Sequence, residues 1–136
     1  MKIGLLATRS GRSVHTIRYY ESQRLMPNVT RDQGGRRLYT ERHVAWLDFL
    51  ARLRQSGMAI ADMRAYTALV ADGDATLSQR RTFLRAHRAK VASAIAELEQ
   101  CLALIDRKVA LYERWMKAGG SAPRRRRAGR PGGGID

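Results

Sequence analysis

The sequence predicts a mainly α-helical protein: several short helices and one β-hairpin in the N-terminal half, then a single long helix. Three observations predict it. Apolar residues recur at helical spacing through residues 40–56 and 59–71. Two short extended pieces flank Gly34-Gly35. From Thr76 to Met116 the chain has neither Pro nor Gly, and a seven-residue apolar repeat runs through it.

Charge bounds the function. The chain has 136 residues, 44% of them hydrophobic, with a net charge of +14, which suits a polyanionic partner better than a merely soluble basic protein. The excess is uneven. Residues 1–57 carry a net +7, residues 58–116 only +2, and residues 117–136 a further +5. A nucleic-acid module, a nearly neutral association element and a basic tail give that distribution. No apolar run is long enough for a membrane span, and no signal-peptide pattern follows Met1. The one cysteine, Cys101, excludes an internal disulfide framework and fits a reducing compartment. The expected place is the cytoplasm, on the nucleic acid.

Each element follows from local chemistry. Ile3 opens either a short strand or the lead into a brief helix at Leu5-Leu6-Ala7, and Ser10-Gly11-Arg12 breaks it, with Gly11 supplying the tight turn. Ser13 then caps a second helix, Val14 to Glu21. Val14 and Ile17 share a docking face, while His15, Thr16, Arg18 and one or both of Tyr19 and Tyr20 remain outside. Helix, glycine turn, helix is helix-turn-helix spacing, over about residues 4–23. Cations, hydroxyls and phenols on a helix start suit phosphates and base edges.

Pro27 ends helical structure. Residues 28–39 then read as a hairpin around Gly34-Gly35, decorated by Arg31, Arg36, Arg37 and Tyr39. A cationic hairpin behind a recognition helix is a wing that grips phosphate. Thr40 caps the next helix, with His43 where a capping box places Glu or Gln. Val44, Leu47, Leu50 and Leu53 set its period, and Gly57 is a C-cap candidate. A further amphipathic helix from Ala59 to Val70 ends at Asp72-Gly73-Asp74.

The long run carries two interleaved sets: Leu84, Val91, Leu98, Ile105 and Tyr112, and Arg88, Ile95, Leu102, Val109 and Met116. All but Arg88 are apolar or aromatic. Such a stripe predicts a coiled coil with a second copy. The competing arrangement folds the stripe back on the helices of residues 40–70, and its N-terminal end is the part best placed for that. From Ala118 the composition collapses to Gly, Ala, Pro and Arg, which predicts a disordered tail.

Arg18-Tyr19-Tyr20-Glu21, followed by Leu25, Pro27 and Arg37-Leu38-Tyr39, resembles the MerR family of bacterial transcription regulators. The resemblance covers about residues 2–116. It implies a winged helix-turn-helix dimer held by an antiparallel coiled coil. It also implies a near-palindromic operator between the promoter hexamers, and distortion of an over-long spacer so that RNA polymerase engages. Arg18 matches the recognition-helix arginine, Tyr19 and Tyr20 the tyrosine pair for backbone contact and helix packing, Arg37 the wing arginine, and Tyr39 the aromatic that ends the wing. Arg36 departs from the pattern, which commonly has an aromatic there. The Leu69 to Leu77 segment looks like the group near aldehyde- or thiol-stress regulators. Relatives that sense electrophiles tend to carry a cysteine in the helix after the wing, and none lies between Thr40 and Gly57.

An enzyme would need a positioned acid, base or nucleophile. His15, His43 and His87 are scattered, without paired carboxylates or metal spacing, and are expected as ordinary surface or DNA-facing residues. Soft-metal sensing needs several thiolates. Cys101 is alone beside the seam, and a packed or inert thiol is preferred to a redox switch. No cofactor and no metal site are expected. Trp46, Phe49 and Tyr66 either form core or line an effector pocket against a partner's long helix. Gly129-Arg130-Pro131 is similar to a degenerate AT-hook, with Ala128 in place of its first core arginine, so non-specific attachment is the expected use of the tail.

The expected fold class is therefore mainly α: a winged helix-turn-helix DNA-binding domain over residues 1–70, an antiparallel coiled-coil dimerisation helix over 76–116, and a basic tail over 117–136. Ser13, His15, Thr16, Arg18, Tyr19, Tyr20, Arg36, Arg37 and Tyr39 are the expected DNA-binding residues. Leu84, Val91, Ile95, Leu98, Leu102, Ile105, Val109 and Tyr112 are the expected dimerisation residues. The expected partners are double-stranded promoter DNA, a second copy and RNA polymerase. An architectural DNA-binding protein without promoter-specific regulation is the alternative.

Overall fold

The computed structural model describes residues 1–120 and 122. Five α-helices and one two-stranded hairpin follow in the order α1 (Ile3–Ser10), α2 (Val14–Ser22), β1 (Thr30–Arg31), β2 (Arg37–Leu38), α3 (Glu41–Gln55), α4 (Ile60–Ala71) and α5 (Leu77–Lys117), with a 3-10 turn at Asp74–Thr76 before α5. The mainly helical class is as expected. Ile3 opens α1 and forms no strand.

Caps fix the boundaries. Gly11 stops α1 in the left-handed conformation at φ 68°, which costs an L side chain 1–2 kcal/mol, a rough figure. Thr40 and His43 complete a reciprocal box at the start of α3. The Thr40 N–H donates to His43 Nδ1 at 3.0 Å, which leaves the ring proton on Nε2, 2.7 Å from the Pro27 carbonyl. His43 is thus buried and structural, correcting the expectation of a surface or DNA-facing residue. At the other end of α3, Met58 N–H reaches Leu53 O and Gly57 N–H reaches Arg54 O, both at 3.0 Å. That is a Schellman closure, in which Gly57, at φ 95°, follows the Ser56 cap.

The chain divides into two units, Met1–Val91 and the part from Ala92 onward. The first unit thus runs past residue 70 and includes the opening turns of α5. Its core joins Leu6, Ile17, Tyr20, Leu25, Tyr39, Leu47, Leu50, Leu53, Met58, Met63 and Tyr66, with Phe83 and Leu84 packed against it. Trp46 locks the turn after α2 by donating its indole N–H to the Leu25 carbonyl at 2.7 Å. In the second unit α5 continues to Lys117. The tail and its AT-hook-like segment lie outside the described residues, apart from residues 118–120 and 122.

Candidate nucleic-acid interface

The interface is built on α2. Ser13 caps it, accepting the Thr16 N–H at 3.0 Å, while the Ser13 hydroxyl donates to Thr16 Oγ1 at 2.9 Å. Ile17 and Tyr20 turn inward and are buried, whereas His15, Arg18 and Tyr19 are exposed and Thr16 is half-buried. The α2 face left outside is thus basic and hydroxyl-rich, as its sequence predicts. Tyr20 is a correction: it serves the core beneath the face, because Ile17 and Tyr20, three residues apart, share one side of the helix.

The wing follows from Asp32 and Gly35. Thr30 pairs with Leu38 and Arg31 with Arg37, antiparallel. Between them the Gly35 N–H reaches Asp32 O at 3.0 Å and the Asp32 N–H reaches Arg36 O at 2.8 Å, with Gly35 at φ 80°. The Asp32 carboxylate accepts the Arg36 N–H at 2.9 Å. Arg31 folds its guanidinium onto the Gly35 carbonyl at 2.6 Å, bracing the tip.

Glu21 joins helix and wing. Its side chain is only 10% exposed and forms an ion pair with Arg37 Nε. It also accepts the Tyr39 hydroxyl. Tyr39 is 1% exposed, so its expected part in DNA contact is corrected to support below the surface. Burial, then the Glu21 carboxylate, push its hydroxyl pKa far up, while Arg37 and Arg18 pull the other way. The backbone of Tyr39 is tied to the chain start, donating its N–H to Met1 O at 2.7 Å.

Between α2, the start of α1 and the wing lies a concave cleft lined by Lys2, Arg18, Arg31, Arg36 and Arg37, with no acidic side chain on its wall. Four guanidiniums and one ammonium around a concavity bind anionic oxygens. The cleft joins Arg18, Arg36 and Arg37, which the sequence singles out, and adds Lys2 and Arg31. The sequence reading missed Glu21 and Asp32 as organisers. The signal for Glu21 was present: it is the only acid in the first 31 residues.

The remaining expected residues divide. Ile95, Leu98, Leu102, Ile105 and Val109 are exposed, Leu98 at 69%. Leu84 is corrected: it packs partly against the core of its own N-terminal unit, because the first turns of α5 belong to that unit. Val91 is half-buried, and Tyr112 lies 5.5 Å from Trp115, ring to ring. The rings of Trp46 and Tyr66 stack at 5.8 Å, with Phe49 5.9 Å from Tyr66 and Phe83 at the same distance on Tyr66. Tyr66 is buried among these aromatics, whereas Phe49 is exposed and Trp46 also lines a cavity shared with His43, Val70 and Arg80. Cys101 is exposed, not packed.

Among the described residues no group of three or more His, Cys, Asp and Glu is placed to hold a metal ion. No helix there is long and apolar enough to cross a membrane.

Residues 1–69 match the family model described as MerR HTH family regulatory protein, and residues 44–108 the model described as MerR, DNA binding. The chain belongs to the MerR family. An HTH-type transcriptional regulator of Haemophilus influenzae is 35% identical over 108 residues, 79% of this chain and 80% of that one. Among solved structures the fold is similar to HiNmlR, a MerR family regulator lacking the sensor domain and bound to promoter DNA, with TM-score 0.71, 33% identity, and 88% and 94% of the two chains covered. It is also similar to a MerR family transcriptional regulator from Listeria monocytogenes, with TM-score 0.75, 30% identity, and 83% and 86% covered. This MerR protein is a DNA-binding transcriptional regulator, and its relatives are regulators, not enzymes.

Proposed function

We propose that this MerR regulator acts in the cytoplasm as a homodimer on a near-palindromic promoter operator. It alters promoter geometry for RNA polymerase in response to a signal. The observation that carries the reading is the arginine-lined cleft beside the exposed Arg18 face of α2. Arg18 and His15 read bases, with Thr16 beside them. Arg36 and Arg37 hold phosphate, and Ser13 and Tyr19 set the helix on the backbone. Tyr20 and Tyr39 support them from within. The exposed Ile95 to Val109 stripe is the face a second copy covers, because apolar area of that extent is stable only when removed from water. The arginines of the tail add sequence-independent attraction.

Arg18→Ala should lose about 1–3 kcal/mol of operator binding and relax specificity. Gel-shift titration on the promoter beside its own coding region checks this. Affinity equal to wild type removes α2 as the reading helix. Leu98→Asp should yield monomers and lose operator binding together. A dimeric variant by sedimentation refutes the seam.

A further inference from the structure

Resting on the reading that this regulator answers a signal, we infer that a cavity at the root of the wing binds that signal, and that the ligand is a small aromatic carboxylate. The cavity, about 740 Å³, is enclosed by the wing root at Pro27, the first turns of α3, and the passage from α4 to α5 at Gly73. All of it lies within the Met1–Val91 unit. A pocket of that size takes a small organic molecule, not a lone ion.

Pro27, Trp46 and Val70 supply its apolar surface. The Trp46 indole N–H is already given to the Leu25 carbonyl, and Tyr66 covers one ring face, 9° from parallel. What Trp46 offers a ligand is therefore ring surface, against which a flat aromatic body packs. His43, also on the wall, has no polar atom to spare. Its Nδ1 accepts the Thr40 N–H, and its Nε2 faces the Pro27 carbonyl.

Arg80 supplies the recognition. It is half-buried, and its partners are neutral: Nε donates to Thr76 Oγ1 at 2.9 Å, and one terminal nitrogen donates to the Gly73 carbonyl. A guanidinium carries five N–H donors, of which these contacts take two. Among the described residues the ion pairs are Arg9–Glu41 and Arg37–Glu21, so no carboxylate neutralises Arg80. Its remaining donors suit the two oxygens of a carboxylate, and the two contacts hold it in place before a ligand arrives, which lowers the cost of binding. Arg42 adds a second cation to the wall. Of the two acids there, Glu41 gives both oxygens to Arg9, at 2.7 and 2.9 Å, which leaves Asp74 against two guanidiniums. That balance favours a monoanion and disfavours the chain's own arginine-rich tail as the occupant. A ligand seated there touches the wing root and the start of α5 together, so occupancy alters how the wing is held against DNA.

The test uses the full chain and 2-naphthoate as the probe, titrated by calorimetry. Naphthoate should bind about tenfold tighter than the neutral 2-naphthamide, because a charge-assisted pair is gained. Equal binding of the amide, or no binding of naphthoate, overturns the inference. Arg80→Gln should remove that preference, while Arg81→Gln, off the cavity wall, keeps it. Arg80 also ties down the Gly73 turn, so Val70→Phe gives a second reading that leaves Arg80 in place. It fills the cavity and should weaken naphthoate binding as well. Unchanged binding in both Arg80→Gln and Val70→Phe overturns the site. Operator anisotropy, with 2-aminopurine emission from the operator spacer, separates the two levels. Naphthoate bound as expected but without effect on either readout overturns the signal reading. Operator binding that stays intact while naphthoate fails to bind overturns the site alone.

Discussion

Glu21→Gln tests how helix and wing are joined. The Glu21 side chain, 10% exposed, holds Arg37 and the Tyr39 hydroxyl with two carboxylate oxygens. A glutamine offers one acceptor and turns a donor toward the other partner. Tyr39 has no route to water at 1% exposure, so the amide oxygen stays with it. Arg37, 48% exposed, hydrates instead, and its share of the loss is correspondingly small. A hydrogen bond to a charged group contributes roughly 1.5–3 kcal/mol. With one lost to solvent and one reduced to a neutral bond, the net cost is about 2 kcal/mol. For a unit of this size that lowers Tm by roughly 10 °C. Operator affinity should fall about fivefold, from about 1 kcal/mol of lost wing alignment. The salt dependence should steepen by about 0.9 in log–log slope, because Arg37 no longer has an internal counter-anion. Thermal melting and fluorescence anisotropy across a salt series measure all three. Counting charge alone predicts the reverse for affinity, since the substitution raises a net charge that is already +14. An unchanged Tm, or tighter operator binding at every salt concentration, refutes the coupling.

Two further outcomes follow from the same neighbourhood. The Tyr39 hydroxyl is raised by burial and by Glu21, so above pH 10 the unfolded chain releases its proton while the folded chain keeps it. Stability should therefore fall with pH above that point, by about 1.4 kcal/mol per unit from this group. Tyr39→Phe should remove that part of the slope in urea titrations, and an identical slope counts against it. Gly35→Ala, at φ 80°, should cost about 1 kcal/mol in the wing and weaken operator binding with little change in Tm; equal affinity by anisotropy shows that the tip does not bear on DNA.

The helices were legible because their signals are local. Ser13, Thr40 and Gly57 mark ends whose hydrogen bonds are satisfied within a few residues, and the heptads of α5 announce their own length. The cleft was half legible. Arg18, Arg36 and Arg37 stand out as cations, yet Arg31 and Lys2 join them only once the hairpin has folded beside the start of α1. Tyr20 and Tyr39 read as contacts because a phenol suits either a phosphate or a core. Their burial is settled by Ile17 and by Glu21, the latter 18 residues from Tyr39 along the chain. The aromatic group of Trp46, Phe49 and Tyr66 was legible as one of two readings, and the fold-back of the start of α5 as another; what the sequence did not single out is Phe83, which lies outside both heptad sets and joins the group from α5.

The two tryptophans fall one in each unit. Trp46 is hydrogen-bonded to Leu25 and stacked on Tyr66, whereas Trp115 lies beside Tyr112 on α5. The molecule thus has a native fluorophore in the reading head and another in the association helix. With Trp115→Phe, emission reports on the head alone; with Trp46→Phe, on the helix alone. Melting, DNA binding and subunit exchange can then each be followed optically at a known place in the chain, without an attached dye.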